Sequence, residues 1–372
     1  MLNQTAGQSL LRQFTLMLII GSAQWCTATG ISASEHPLPD YIPDQTVSGV
    51  IRNYGNAYGG LLKKWEDGFR DFHPGIQFDD TLPTSDAAFP ALITGVTDLA
   101  PNGSEASLTE TLGFFEVHGH HPTAITVASG SFDTEGRSPG IVVFVHKDNP
   151  ITQLSLAQLD GIFGAQRNGG LRGFQWTLED ARGPEKDIRS WGQLGLEGQW
   201  QDQLINTYGH APSGAARFFQ HRILKNSNKW NPNFQGYVET GSKMIGETDR
   251  QTQYGGIQYM LTNKLANDRF GIAWTIMPQA QGIEGIKALA LGRSEDGPFV
   301  YPDVESFQSR TYPLVRNIYI YLNRAPGEAV ADRFREFLRY ILSAQGQALV
   351  ADGSGFLPLP AAEVNAQRAK LD

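Results

Sequence analysis

The chain is 372 residues long, with 30 Lys and Arg against 38 Asp and Glu, one cysteine, 41 glycines and 20 prolines, and a net charge of −8. A hydrophobic share of 40% and an aromatic share of 10% supply packed cores and exclude the disordered, collagen-like and coiled-coil classes; the length suits about two domains of ~150 residues. The acidic balance argues against a nucleic-acid binder, which needs clustered Lys and Arg, but not against small anions, which backbone N–H groups at helix N-termini can hold.

Arg12 is the one charged residue among the first thirty, and the apolar run 14–20 follows it. That run is shorter than the ~20 residues of a membrane span, and Ala28-Thr29-Gly30 offers a small-residue cleavage pattern, so 1–30 is predicted to be a secretory signal peptide. Cleavage would take the net charge from −8 to −9 and remove Cys26, leaving no thiol and no disulfide. Cys26 raises a lipoprotein alternative, against which stand Gln24 and Trp25 where lipid attachment wants small residues. No later stretch is long enough to cross a bilayer.

Beyond a Pro-rich lead-in, strand and helix patterns alternate. Residues 47–52 read as a strand, and Asn56 is placed to cap a helix with Leu61, Leu62, Trp65, Phe69 and Phe72 on one face, stopped at His73-Pro74-Gly75. Residues 76–78 restart a strand, Ser85 or Asp86 caps a short helix closed by Gly95, and 96–100 form a further strand. Ser107-Leu108-Thr109-Glu110 and Ser155-Leu156-Ala157-Gln158 are capping boxes, and 123–128 and 141–146 are β-rich. The less periodic stretch 164–256 is predicted to run through long loops. Residues 317–322 alternate as a strand, ahead of a helix with Val330, Phe334, Phe337, Leu338 and Ile341 at helical spacing.

Enzyme motifs fail on mechanism. Gly136-Arg137-Ser138-Pro139-Gly140 matches the G-x-S-x-G nucleophile elbow, but Pro139 has no N–H to offer an oxyanion, and a strand follows where the elbow needs a helix; it reads as a turn. His118, His120 and His121 suggest metal, yet no H-E-x-x-H or C-x-x-C accompanies them, and a solvated helix-to-strand loop accounts for them. No Walker A loop or strand-linked G-x-G-x-x-G supports a nucleotide or other cofactor.

Three segments put small polar residues where a strand hands over to a helix: Asn53-Tyr54-Gly55-Asn56-Ala57, Ser85, and Ala211-Pro212-Ser213-Gly214-Ala215. Three converging helix N-termini would hold a small anion; ordinary capping explains each one singly.

Gly49-Val50-Ile51-Arg52-Asn53-Tyr54-Gly55-Asn56, with Lys64-Trp65, Phe69 and His73-Pro74-Gly75, resembles the first strand and helix of the phosphate-type periplasmic binding proteins of ABC transporters. Further segments resemble that family in order: Gly95-Val96-Thr97-Asp98-Leu99-Ala100, Val143-Phe144-Val145-His146-Lys147-Asp148-Asn149-Pro150, Leu159-Asp160-Gly161-Ile162-Phe163-Gly164, Ser213-Gly214, Tyr312-Pro313-Leu314-Val315-Arg316 and Leu342-Ser343-Ala344-Gln345-Gly346-Gln347. The resemblance spans about 46–360. It implies an α/β fold of two lobes, each a mostly parallel sheet flanked by helices, with 142–146 and 317–322 as crossing strands and ligand in the cleft between. By the same resemblance the lobes are 46–140 with the return segment 315–372, and 141–314.

The resemblance also implies the ligand-binding residues: Asn56, Ala57, Ser85, Asn102, Gly103, Ser104, His210, Ser213, Gly214 and Ala215. Three departures stand out. Ala215 replaces the threonine of the family's Ser-Gly-Thr, with Gly209 and His210 where relatives carry an Arg, and Asn102-Gly103-Ser104 offers no Asp to accept from a protonated oxyanion. Loss of a guanidinium removes charge-assisted bonds of about 1.5 to 3 kcal/mol each. The function implied is a non-enzymatic protein of the periplasm or exterior, without metal or cofactor, carrying a small oxyanion such as phosphate to a transporter permease or sensor. The alternatives are an interaction or signalling protein on the same fold with a drifted cleft, its surface supplied by Trp176, Trp191, Trp200 and Trp230, and a secreted phosphoesterase using the His118 region.

Overall fold

The computed structural model describes residues 38–238 and 256–372; the predicted signal segment 1–30, with Cys26, lies outside them. Strands β1 (Gly49–Tyr54), β2 (Ile76–Thr81), β3 (Leu99–Asn102) and β4 (Thr123–Ser129) alternate with helices α1 (Leu61–Phe72), α2 (Ala88–Ile93) and α3 (Leu108–His118). The chain then makes β5 (Ile141–His146), β6 (Gln153–Ser155), α4 (Leu156–Phe163), β7 (Gly170–Arg172), β8 (Gln175–Thr177), β9 (Asn206–His210), α5 (Gly214–Arg222) and β10 (Gln235–Tyr237). After β11 (Gly271–Ile276), β12 (Ile286–Ala288), β13 (Ala290–Gly292) and β14 (Phe299–Val300), it returns as β15 (Asn317–Leu322).

Two five-stranded sheets result, one in the order β2-β1-β3-β15-β4 and the other β10-β9-β11-β5-β12. β1 runs parallel to β2 and β3, and β9 parallel to β10 and β11. The antiparallel members sit where the chain passes between sheets: β15 against β3 and β4, and β5 against β11 and β12. The two passages are tied together, because Ile141 N donates to Leu314 O (3.0 Å) and Gly130 N to Arg316 O (2.8 Å). This is the architecture of two α/β halves that the resemblance implied.

Each half has its own core. Around the first sheet, Leu61, Leu62, Trp65 and Phe69 of α1 are buried with Phe337 and Leu338 of the helix Asp332–Ile341, the Phe69 and Phe337 rings 5.2 Å apart. Phe72, expected on that stripe, stays 39% exposed at the helix end. Around the second, Trp191 and Phe219 share a core with the fully buried strands β5 and β11, the latter carrying Trp274.

Both capping boxes form as read: Ser107 and Glu110 open α3, and Ser155 and Gln158 open α4. Other starts differ. β1 and β3 begin two and three residues later than the pattern suggested, at Gly49 and Leu99. Asn56 does not cap α1. Its Oδ1 accepts from Tyr58 N (2.7 Å), turning the chain into the 3-10 segment Tyr58–Gly60, and α1 starts at Leu61 behind a left-handed Gly60. Two successive glycines at positive φ make that offset cheap.

A buried carboxylate marks the inner face of α1. Glu66 is fully buried, and Asn53 Nδ2 donates both to its Oε1 (3.0 Å) and to Asp80 Oδ1 (3.0 Å). Burial, then the Asp80 charge, pushes its carboxyl up to about 8. A raised acid contributes stability in full below its unfolded value and loses it as pH rises through the folded one, so stability should decline from about pH 4.5 to 8. Glu66→Gln is expected to flatten that decline and to stabilise the protein at pH 8.5 by a few kcal/mol, at about 1.4 kcal/mol per pKa unit. Urea unfolding at pH 6 and 8.5 measures it; an unchanged slope in the variant refutes it.

Candidate functional site

The candidate residues of the first half form one knot of hydrogen bonds. Ser85 Oγ accepts from Asn56 Nδ2 (2.9 Å) and from Gly103 N (3.0 Å). Both lone pairs are then used, and the hydroxyl proton is left to donate. Ser85 is therefore not a cap: the residue before its 3-10 turn is Thr84, with no side-chain cap bond. Ser138, the serine of the rejected elbow motif, donates to Gly103 O (2.7 Å) from a left-handed turn, φ 49°. The backbones close in tightly here, since a Cβ on Gly55, at φ 148°, would stand 2.1 Å from Pro101 O, and Asn56 N donates to that same oxygen (2.8 Å). Asn102 N donates to the Tyr58 hydroxyl (2.8 Å), and Asn102 Oδ1 accepts from Ser104 N (3.0 Å) and Oγ (3.2 Å). Ala57 makes no side-chain cap bond.

In the second half the candidate residues gather at the N-terminus of α5. Ser213 is a true cap, accepting from Ala216 N (3.2 Å). Ala215 is buried. His210 is 1% exposed, stacked on Trp274 at 5.1 Å and 14°, with Nε2 2.9 Å from Thr275 Oγ1. Burial, then the Arg316 charge, pushes its imidazole down to about 4. His210 is thus neutral near pH 7 and supplies no cation ahead of Ser213.

Two cavities open beside α5, sharing Gly214, Arg217 and Gln220. The smaller, of about 210 Å³, lies between Ser104–Thr109 of the first half and Gly214, Arg217, Phe218, His221, Arg316 and Asn317. The larger, of about 750 Å³, is lined by Asp86 of the first half and by His210, Ser213, Trp230, Asn231 and Phe234 among others. Ser104, Gly214, His210 and Ser213 therefore reach these spaces. Asn56, Ala57, Ser85, Asn102, Gly103 and Ala215 line neither, though Asn102 holds Ser104 through its Oδ1. The expected meeting of three helix N-termini is corrected to one, that of α5, because α1 begins late and Ser85 has turned inward.

Sequence reasoning missed the cations. Arg316 comes from the passage leading into β15, its guanidinium 5.8 Å from the centroid of the Phe218 ring and 3.8 Å from where a Cβ on Gly214 would stand. Arg217 lies one turn into α5. The one hint was Arg316 inside the Tyr312-Pro313-Leu314-Val315-Arg316 segment, but only the fold brings it to α5.

An acid also enters the smaller cavity. Glu105, after β3, reaches α5 across the cleft: its Oε2 is 2.5 Å from His221 Nδ1, its Oε1 pairs with Arg222, and Tyr319 donates to it (2.9 Å). Burial works against its charge, but His221 and Arg222 outweigh burial and hold the carboxyl below its usual range.

The histidine cluster has other partners. His118 Nε2 meets Ile93 O (3.0 Å), His120 Nδ1 meets His121 O (3.0 Å), and His121 stacks on Phe174 at 4.4 Å. Among the described residues no group of His, Cys, Asp and Glu is arranged to hold a metal ion. No described helix is long and apolar enough to cross a membrane.

The sequence profile of the PBP superfamily domain matches residues 55–345. The chain belongs to the PBP superfamily. Among its relatives is the phosphate-binding protein PstS of Pseudomonas aeruginosa, 28% identical over 337 residues, covering 90% of each chain. The phosphate-binding protein PstS of Staphylococcus saprophyticus is 21% identical over 329 residues, covering 87% of this chain and 85% of its own. The crystal structure of PstS from Borrelia burgdorferi superposes with a TM-score of 0.50 at 14% identity, over 84% of this chain and 99% of that one. This last likeness supports the two-lobed PBP fold.

Proposed function

We propose that this PBP-superfamily chain is an exported, non-enzymatic solute-binding protein that captures a small oxyanion, phosphate first among them, and presents it to an ABC transporter or a receptor from the periplasm. In this reading residues 46–140 and 315–372 form one lobe and 141–314 the other. Relatives named as phosphate-binding proteins support the ligand class. The observation that carries the reading is the α5 N-terminus, where Gly214 lies with Arg217 and Arg316 around a cavity of about 210 Å³ and Ser213 borders the larger cavity beside it. Unpaired N–H groups, the helix dipole and two guanidinium groups all favour negative charge at one place, in a space suited to a tetrahedral ion and a few waters. Arg316 stands in for the guanidinium missing beside Ser213.

Inorganic phosphate is expected to raise the melting temperature by several degrees, since a ligand at a hundredfold excess over Kd stabilises by about 2.7 kcal/mol. Differential scanning calorimetry with phosphate, sulfate and organic phosphates tests it; no shift with any of them removes the reading. The Glu105 carboxylate in the same cavity favours one second reading, an interaction protein whose cleft is filled by its own side chain. A pull-down without added ligand would then return a partner while calorimetry stays flat.

A further inference from the structure

The larger cavity is out of scale with a bare oxyanion. A tetrahedral ion at the α5 N-terminus would leave most of about 750 Å³ to water, whose share of liquid is about 30 Å³ per molecule. That volume lies in the range of small-molecule sites, roughly 300 to 1,000 Å³. Its wall is aromatic: Trp230 and Phe234 stack at 4.7 Å and 20°, and the stack runs on through Phe219 and Trp274 to His210. Both Trp230 and Phe234 are only half-buried, so apolar ring surface faces the space. A bare ion draws nothing from such a wall. His210, at 1% exposure, closes the end of that stack and lines the cavity. Asp86, the acid of this lining, comes from the opposite half and disfavours a second negative group there.

We propose that the site takes an oxyanion ester with one anionic end and a planar apolar substituent, an aryl phosphate being the simplest, rather than inorganic phosphate alone. The anionic end sits where the cavities meet, at Gly214 and Arg217, with Arg316 alongside. The planar group lies along Trp230 and Phe234. This rests on the oxyanion reading and adds the substrate class to it.

The test uses the full mature chain and isothermal titration with three probes: inorganic phosphate, phenyl phosphate and phenol. Phenyl phosphate is expected to bind at least tenfold more tightly than inorganic phosphate and to change the tryptophan fluorescence, with phenol not binding. Trp230→Leu is expected to bring the phenyl phosphate affinity down towards that of inorganic phosphate; Trp230→Phe, which keeps a ring, is expected to retain most of the preference and guards against loss of folding. If inorganic phosphate binds as tightly as phenyl phosphate, the ester inference is overturned and the oxyanion reading stands. If neither anion binds, the oxyanion reading falls and the inference with it.

Discussion

Replacing Ser213 by aspartate should abolish oxyanion binding while leaving the fold as stable as before. The two halves of that expectation come from the same atoms. Ser213 caps α5 by accepting from Ala216 N, and aspartate is as good an N-cap as serine, with a charge that also suits the helix dipole. The carboxylate, however, would occupy the positive end of the helix that the ligand needs. Two unit charges at ~4 Å repel by about 4 kcal/mol at an effective dielectric of 20, about a thousandfold in affinity. Ser213→Ala should behave the opposite way, losing about 1 kcal/mol of stability with the cap but only one neutral donor from the site. Titration calorimetry with phosphate and thermal unfolding of both variants decide the matter. If Ser213→Asp binds phosphate as the parent does, the α5 N-terminus is not the binding site.

What could be read from the sequence depended on how local each interaction is. The Ser107 and Ser155 capping boxes were legible because donor and acceptor lie three residues apart on one helical turn. The strand Asn317–Leu322 was legible by its apolar alternation, and is buried along its whole length. Asn56 and Ser85 were misread as caps, since nothing local reveals that Ser85 prefers Gly103 N and Asn56 Nδ2, which arrive from separate strand ends. The lack of an Arg just ahead of Ser213 was legible, but the approach of Arg316 to the same helix start was not. Arg316 reaches Gly214 only through the passage between sheets, where the chain comes back to the first half. Glu105 was overlooked for the same reason, its partners His221 and Arg222 lying on the other half.

Glu105→Gln is the second variant with a large expected effect, and its two readouts should move in opposite directions. In the parent, one carboxylate joins the loop after β3 to α5 through His221 and Arg222, with Tyr319 donating and itself accepting from Asn317 Nδ2 (3.1 Å). Removing the charge weakens the only acid in the smaller cavity and leaves Arg222, whose Nε already lacks a partner, less well compensated. His221 and Arg222 are each more than a third exposed, so solvent screens the loss, which should be about 1–2 kcal/mol. The pH dependence has a fixed sign. A carboxylate held below its ordinary value near 4.5 contributes stability above that value and loses it as pH falls through the folded one. The parent and Glu105→Gln should therefore differ at pH 7 and converge as the pH drops below about 4.5. Anion binding should respond the other way: a like charge leaves the cavity, the cations it held become available, and affinity for phosphate at pH 7 should rise about tenfold. Urea unfolding at pH 7 and pH 4, together with titration calorimetry, reads both effects. A variant that loses affinity along with stability would mean that Glu105 orders the cleft for its ligand, and that the carboxylate belongs to the binding state rather than competing with it.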